Sequence, residues 1–116
     1  VQYTHARANS LLEKGDFSLN TRIDYSLLVE DDEINIIRLL YKFPDIVIDA
    51  MEKLEPSYIT RHITEIAKAF NKFYNSCPIL TVDEELKNAR LMLVFAAKTT
   101  IKTGLGLLGM EAPNRM

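Results

Sequence analysis

The stretch Pro56–Cys77, "PSYITRHITEIAKAFNKFYNSC", decides how the rest of the chain is read. Ile59, Ile63, Ile66, Ala67, Phe70 and Phe73 recur at the three- and four-residue intervals that put side chains on one face of an α-helix. Pro56 stands at the first turn, where a missing N–H is tolerated. Cys77-Pro78 ends the pattern, because the residue before a proline is driven out of the helical region. A helix with so wide an apolar face must bury it against neighbours of its own kind, and the flanking segments supply them.

Upstream, "DDEINIIRLLYKF" (31–43) carries Ile34, Ile37, Leu40 and Tyr41 at helical spacing, with Asp31, Asp32 and Glu33 complementing the positive end of the helix dipole. Phe43-Pro44 reads as a break, with Pro44 opening the next helix, "PDIVIDAMEKLE" (44–55). Glu55-Pro56 repeats the device. Downstream, "TVDEELKNARLMLVFAAKTTIKTG" (81–104) is the longest helical pattern. Thr81 and Glu84 have capping-box spacing. Leu86, Ala89, Leu93, Ala96, Ala97 and Thr100 form one face, widened by Leu91, Val94 and Phe95, and Gly104 reads as its left-handed terminator. At the start, "YTHARANSLLEKG" (3–15) places Tyr3, Ala6, Arg7, Ser10 and Leu11 on one stripe that stops at Gly15. Residues 16–30 show no sustained period and read as a connection holding a short helical turn. Strand signals are weak throughout. The expectation is an all-α fold: one domain over residues 1–116, a helical bundle of about four to five helices.

Composition agrees. At 116 residues the chain can build one core and not two. Hydrophobic residues at 47% and charged residues at 26% are ordinary for a soluble globular protein. No apolar run approaches the roughly 18 residues of a membrane span, and no leader pattern is present, so the expectation is a cytoplasmic protein with no membrane partner. Cys77 is the sole cysteine, which excludes a disulfide within the chain and argues against a Cys-based zinc site. It reads as a small buried or half-buried side chain ahead of Pro78. The chain opens on Val1 rather than Met with its first helical pattern already running, which implies a preceding segment. A net charge of −2 argues against nucleic-acid binding by bulk attraction, so any such role must rest on a local patch and on base contacts.

The tail "GLGLLGMEAPNRM" (104–116) holds Gly104, Gly106 and Gly109 with the G-x-G-x-x-G spacing of a dinucleotide loop. That loop needs a strand before it and a helix after it, so that helix N–H groups meet the pyrophosphate. Here a long helix precedes the glycines and seven residues follow them. The glycines are therefore structural: Gly104 to close the helix, Gly106 and Gly109 to turn the tail back onto the bundle. No catalytic constellation appears elsewhere. His5 and His62 lie on different helices without an evident carboxylate or thiol partner and read as packing or surface residues. Neither a P-loop nor a His-Glu-x-x-His motif occurs.

One arrangement suits RNA. Arg61, Lys68 and Lys72 share a helix face, Asn75 continues their line, and Glu65 interrupts it. Lys98 and Lys102 form a second basic pair, and Tyr3 and Arg7 pair one turn apart. Tyr74 sits at the end of the 56–77 helix beside its basic face. A ring with neighbouring cations and amides is what an unpaired base requires: a stacking surface, phosphate contacts and edge hydrogen bonds. The same residues also suit solvated faces on a helical protein–protein interaction module without RNA binding, and the residue types alone leave both readings open.

Three stretches taken together, "VQYTHARA" (1–8), "AFNKFYNSCPIL" (69–80) and "ARLMLVFAAKTTIKTGLGLLGMEAPNRM" (89–116), resemble the C-terminal anticodon-binding (DALR) domain of arginyl-tRNA synthetases in content, order and spacing. The resemblance implies a helical bundle of the class I synthetase anticodon-binding type that grips the anticodon stem-loop of tRNA(Arg). It implies a parent enzyme that joins arginine to tRNA with ATP and Mg, through a catalytic domain of the same polypeptide. The class I signatures, His-Ile-Gly-His-like and Lys-Met-Ser-Lys-Ser-like, are absent from this chain, so it is expected to hold no cofactor and to be non-catalytic by itself. By resemblance, anticodon bases meet Tyr3, Tyr74 and Met116, with Arg7 one turn from Tyr3 and Asn75 beside Tyr74; Arg7, Arg61, Lys68 and Lys72 are expected to hold the backbone.

Overall fold

The computed structural model describes residues 2–18 and 23–109, with Gln2 and Tyr3 described by backbone alone. Four α-helices account for most of it: α1 (Gln2–Lys14), α2 (Asp31–Glu52), α3 (Ser57–Ser76) and α4 (Glu84–Leu107). Among the described residues between α1 and α2 lies one 3₁₀ turn, Tyr25–Leu27. No strand occurs among the described residues, as the periodicity predicts.

Two helices, α3 and α4, are central, each packed against the other three. All six residues of the predicted α3 stripe are buried, with Ile66, Phe70 and Phe73 wholly enclosed. Each such side chain contributes roughly 1.5–3 kcal/mol through burial. Both α2 and α4 pack against α3, while α1 rests on α4 and touches α3. Among the described residues α1 and α2 share no contact, so they flank the α3–α4 pair separately. Cys77 is buried against the core, as expected.

Four local expectations are corrected. Pro44 does not open a helix; α2 runs through it from Asp31 to Glu52. A proline inside a helix cannot donate to the carbonyl four residues back, here Leu40. Tertiary contacts carry the helix past this gap. His62 on α3 stacks on Phe43, with ring centroids 6.3 Å apart, and meets the Leu39 carbonyl at 2.8 Å. A carbonyl only accepts, so the His62 Nε2 carries the proton. His62 is thus a packing residue, one of the two readings the sequence left open.

Gly104 does not close α4. The helix continues to Leu107, and the residue in the left-handed region is Gly109, with φ +78°. Gly104 has another task, since a Cβ there would stand 2.5 Å from Ile63 Cγ2. It lets α4 approach α3.

The start of α4 is also displaced. Its N-cap is Asp83 rather than Thr81, and no capping box forms there. The loop before it is held from inside the bundle by Arg90, whose Nη1 donates to the Pro78 carbonyl at 2.5 Å. On α1, finally, Ser10 is exposed and the buried line runs through Thr4, Ala8 and Leu11 to Gly15. Gly15 does end the helix. A Cβ on it would meet Leu91 Cδ1 at 2.6 Å, and the left-handed residue that follows is Asp16, with φ +53°.

Candidate nucleic-acid interface

The site is built where the C-terminal turns of α3 meet α1. Tyr74 follows Phe70 by one turn, so the inward ring supports the outward one; their centroids lie 6.3 Å apart. Tyr74 is 39% exposed, enough to offer ring surface while its base is anchored. Across the helix boundary, the Arg7 guanidinium carbon sits 4.5 Å from the Tyr74 ring centroid, within cation–π range. Arg7 Nη1 also points to Asn71 Oδ1 at 3.4 Å, and Asn71 Nδ2 to Thr4 Oγ1 at 3.4 Å. Asn71 thereby spans the two helices. The cation and ring picked separately from sequence are thus in contact, although 67 positions apart.

The same turns of α3 are tied to α2 on another side. Ser76 Oγ donates to Asp32 Oδ2 at 2.5 Å, and Lys72 Nζ stands 3.7 Å from Asp32 Oδ1. Below, Cys77 N–H closes the helix onto the Phe73 carbonyl at 2.9 Å. Asn75 is exposed beside Tyr74.

Not every candidate gathers here. Lys72, Lys68 and Arg61 do share a face of α3, but it lies well over a quarter turn round the helix from Tyr74, at about 100° per residue. Lys68 pairs with Glu65 at 4.0 Å. Arg61 is about 20 Å from Tyr74 at 1.5 Å per residue, in a cleft lined by Asp49, Lys53, Tyr58 and Glu65. Lys98 turns inward to donate to Asn9 Oδ1 at 2.7 Å, and Lys102 is exposed. Tyr3 lies on the first turn of α1, one turn from Arg7, with only its backbone described; Met116 lies outside the described residues.

Two groups escaped the sequence reading. Asn71 is one turn before Tyr74, a spacing that could have drawn it in. Glu33 reads locally as a dipole complement, yet it is fully buried and accepts from Arg90 Nε at 2.7 Å. Its other oxygen accepts from the Glu30 N–H at 2.9 Å. Arg90 itself is only 6% exposed. This pair locks the start of α2 to α4, and through Pro78 to the segment that leaves α3. No short-range sequence signal links residues 57 positions apart.

Among the described residues no group of three or more His, Cys, Asp or Glu side chains could hold a metal, and no described helix is long and apolar enough to cross a membrane. A ring, a cation and amides at one corner suit contact with an unpaired base.

A family model described as "DALR anticodon binding domain" matches residues 1–116. The arginine–tRNA ligase of Halothermothrix orenii is 51% identical over all of this chain and 20% of its own length. That of Clostridioides difficile is 45% identical over the same shares. Among solved structures, the arginyl-tRNA synthetase of Thermus thermophilus superposes with a TM-score of 0.89 at 33% identity, over 99% of this chain and 20% of that one. The putative arginyl-tRNA synthetase of Campylobacter jejuni gives 0.90 at 26% identity, over 99% and 25%. The chain spans about a fifth of the length of the curated relatives it matches.

Proposed function

The chain belongs to the DALR anticodon binding domain family, and we propose that it binds the anticodon stem-loop of tRNA(Arg) as one domain of a longer arginine–tRNA ligase. The observation that carries this reading is the Arg7 guanidinium lying 4.5 Å over the Tyr74 ring, beside exposed Asn75. An extruded base stacks on the remaining ring surface, Arg7 meets the flanking phosphate, and the Asn75 amide addresses a base edge. Tyr3 and Met116 complete the contacts to the loop. Lys72 reaches the backbone by exchanging Asp32 for a phosphate. Exposed ion pairs contribute only about 0–1 kcal/mol, so the exchange costs little. Lys68 follows the stem, and Arg61 meets RNA only beyond the loop.

The genetic code gives such a site a simple task. All arginine codons share a middle G, so their anticodons share a middle cytosine, and one pocket serves every isoacceptor. The chemistry belongs to the rest of the ligase, in the cytoplasm, where ATP with Mg activates arginine; no residue of this chain is assigned to it.

Titration of the 116-residue chain with the anticodon stem-loop of tRNA(Arg), and with the same stem-loop carrying a changed middle cytosine, tests the reading. Tighter binding of the unaltered loop is expected. Equal affinity for both would refute base reading, and affinity without salt dependence would refute the phosphate contacts.

A further inference from the structure

A second surface lies on α2. Ile34, Ile37, Tyr41, Ile48 and Met51 recur there at heptad a/d spacing, with Pro44 filling the remaining position. All five are between 41% and 84% exposed. They are not the core face of this helix. Ile36 and Ala50 are buried, and Leu40, Phe43 and Val47 pack onto the core. The helix therefore carries two apolar faces, whereas a bundle of this kind needs one from each member. The outward stripe spans about 25 Å. Leu39 and Phe43, which meet His62 of α3, lie nearly half a turn round the helix from it.

The stripe also faces away from the Arg7–Tyr74 corner: Asp32, through which α2 meets that end of α3, lies nearly half a turn round the helix from it. Its outer edge carries exposed Arg38, Asp45 and Glu52. A rim of mixed sign around an apolar centre is protein–protein anatomy, not a phosphate-binding surface.

We propose that this face of α2 docks onto the part of the longer ligase polypeptide outside this domain. The inference rests on the reading of the chain as a ligase domain. Two facts select that occupant over a second copy. Matched relatives are about five times longer than this chain, so most of each ligase lies outside the matched domain. The five side chains offer on the order of 500 Å², the upper range for a patch on a monomer. A stable dimer needs about 800 Å² from each partner. A contact within one polypeptide manages with less, because tethering supplies an effective concentration in the roughly millimolar range.

Hydroxyl-radical footprinting of the RNA-free full-length ligase tests this, with the oxidation rate of each residue referred to the denatured polypeptide. Tyr41 and Met51 are expected to be protected at least about fivefold, as side chains in the core of an interface are shielded from solvent. The protection should not depend on protein concentration. Oxidation at near the denatured rate would overturn the proposal. So would protection that vanishes on dilution, which would assign the face to a second copy, or protection that needs added tRNA. A ligase with Tyr41→Glu and Ile48→Glu should lose the protection of Met51 and keep its affinity for the stem-loop. Persistent protection of Met51 in that variant would also overturn the docking. Since the footprint contains no RNA, an unprotected face in the unaltered ligase with intact stem-loop binding refutes this inference alone; protection without stem-loop binding refutes the anticodon reading alone.

Discussion

The three glycines near the end of the chain share one motif and should respond to alanine in three ways. In a helix interior, Gly→Ala gains about 1 kcal/mol through lower backbone entropy in the unfolded chain. Gly106 is exposed within α4, and a methyl added there would have nothing within 4 Å, so it should realise that gain in full. At Gly109 the methyl also meets open space, but φ is +78°. An L-residue there costs roughly 1–2 kcal/mol.

Gly104 is the informative case. Its Cβ would stand 2.5 Å from Ile63 Cγ2, about 1 Å inside ordinary contact. Ile63 cannot swing away, because it is 1% exposed and β-branched residues keep one χ1 rotamer in a helix. The helices must part instead. Overpacking of this kind costs about 1–3 kcal/mol, and the helix-propensity gain offsets only about 1. Gly104→Ala should therefore be neutral to about 2 kcal/mol destabilising. Urea unfolding at constant m resolves the series, since m of about 1–3 kcal/mol/M turns 1 kcal/mol into a midpoint shift of roughly 0.3–1 M. Ile63→Leu moves the branch away from Cβ and removes the offending methyl. In that background the penalty of Gly104→Ala should fall by about 1 kcal/mol or more. A coupling of zero between the two sites, or a Gly104→Ala protein as stable as Gly106→Ala, would refute the close approach.

Tyr74→Ala should weaken stem-loop binding by about 1–3 kcal/mol while unfolding changes little, checked by titration alongside a thermal melt. Arg7→Met keeps much of the stem but removes the charge; it should weaken every stem-loop sequence alike and reduce the slope of log affinity against log salt by about one contact. Glu33→Ala strands a buried guanidinium and should cost about 3–5 kcal/mol in urea unfolding, whereas Glu33→Met with Arg90→Met should recover most of it. Asp24 is held below its ordinary carboxylate range, first by the Ser26 hydroxyl and then by the Ser26 N–H. Its cap is therefore present above the ordinary value and lost as pH falls through the depressed one; the protection of the Ser26 amide, relative to its intrinsic exchange rate at each pH, should fall in that window and not at neutral pH.

Much of the bundle is legible because its packing follows the helical period. Each residue of the α3 stripe is buried, and among the described residues of 16–30 a short turn does occur, at Tyr25–Leu27. Three of the misreadings share one cause: a local signal overruled by a distant partner. Pro44 is a helix breaker in isolation, yet Phe43 and Leu39 are held by His62 from another helix. Gly104 looks like a terminator until Ile63 is seen behind it. Glu33 looks like a solvated dipole partner until Arg90 arrives from α4. The candidate site is half legible for the same reason. Residue chemistry singles out Arg7 and Tyr74 one at a time, and the family resemblance assigns them a role. Their contact depends on how α1 crosses α3, which neither period encodes. The basic line of Arg61, Lys68 and Lys72 does form one helix face, but a face is not a site: the helix turns it away from Tyr74.

What the fold adds to that corner is restraint. The last turn of a helix ordinarily frays, because its carbonyls lack partners and its side chains few contacts. At the end of α3 this freedom is removed from three sides: Arg7 and Asn71 toward α1, Asp32 on Ser76 and Lys72 toward α2, and Arg90 on the Pro78 carbonyl from α4. Each rotamer-rich side chain ordered beforehand spares roughly 0.5–1.5 kcal/mol on binding. The buried Glu33–Arg90 pair belongs to the same device. It is weak evidence for stability in itself, but it fixes the start of α2, which carries Asp32, relative to the loop that leaves α3. A Tyr74 ring on a frayed turn would have to be ordered by the RNA. On this turn it is ordered beforehand, with Arg7 already in place, so that in the proposed complex binding energy can go to telling one base from another.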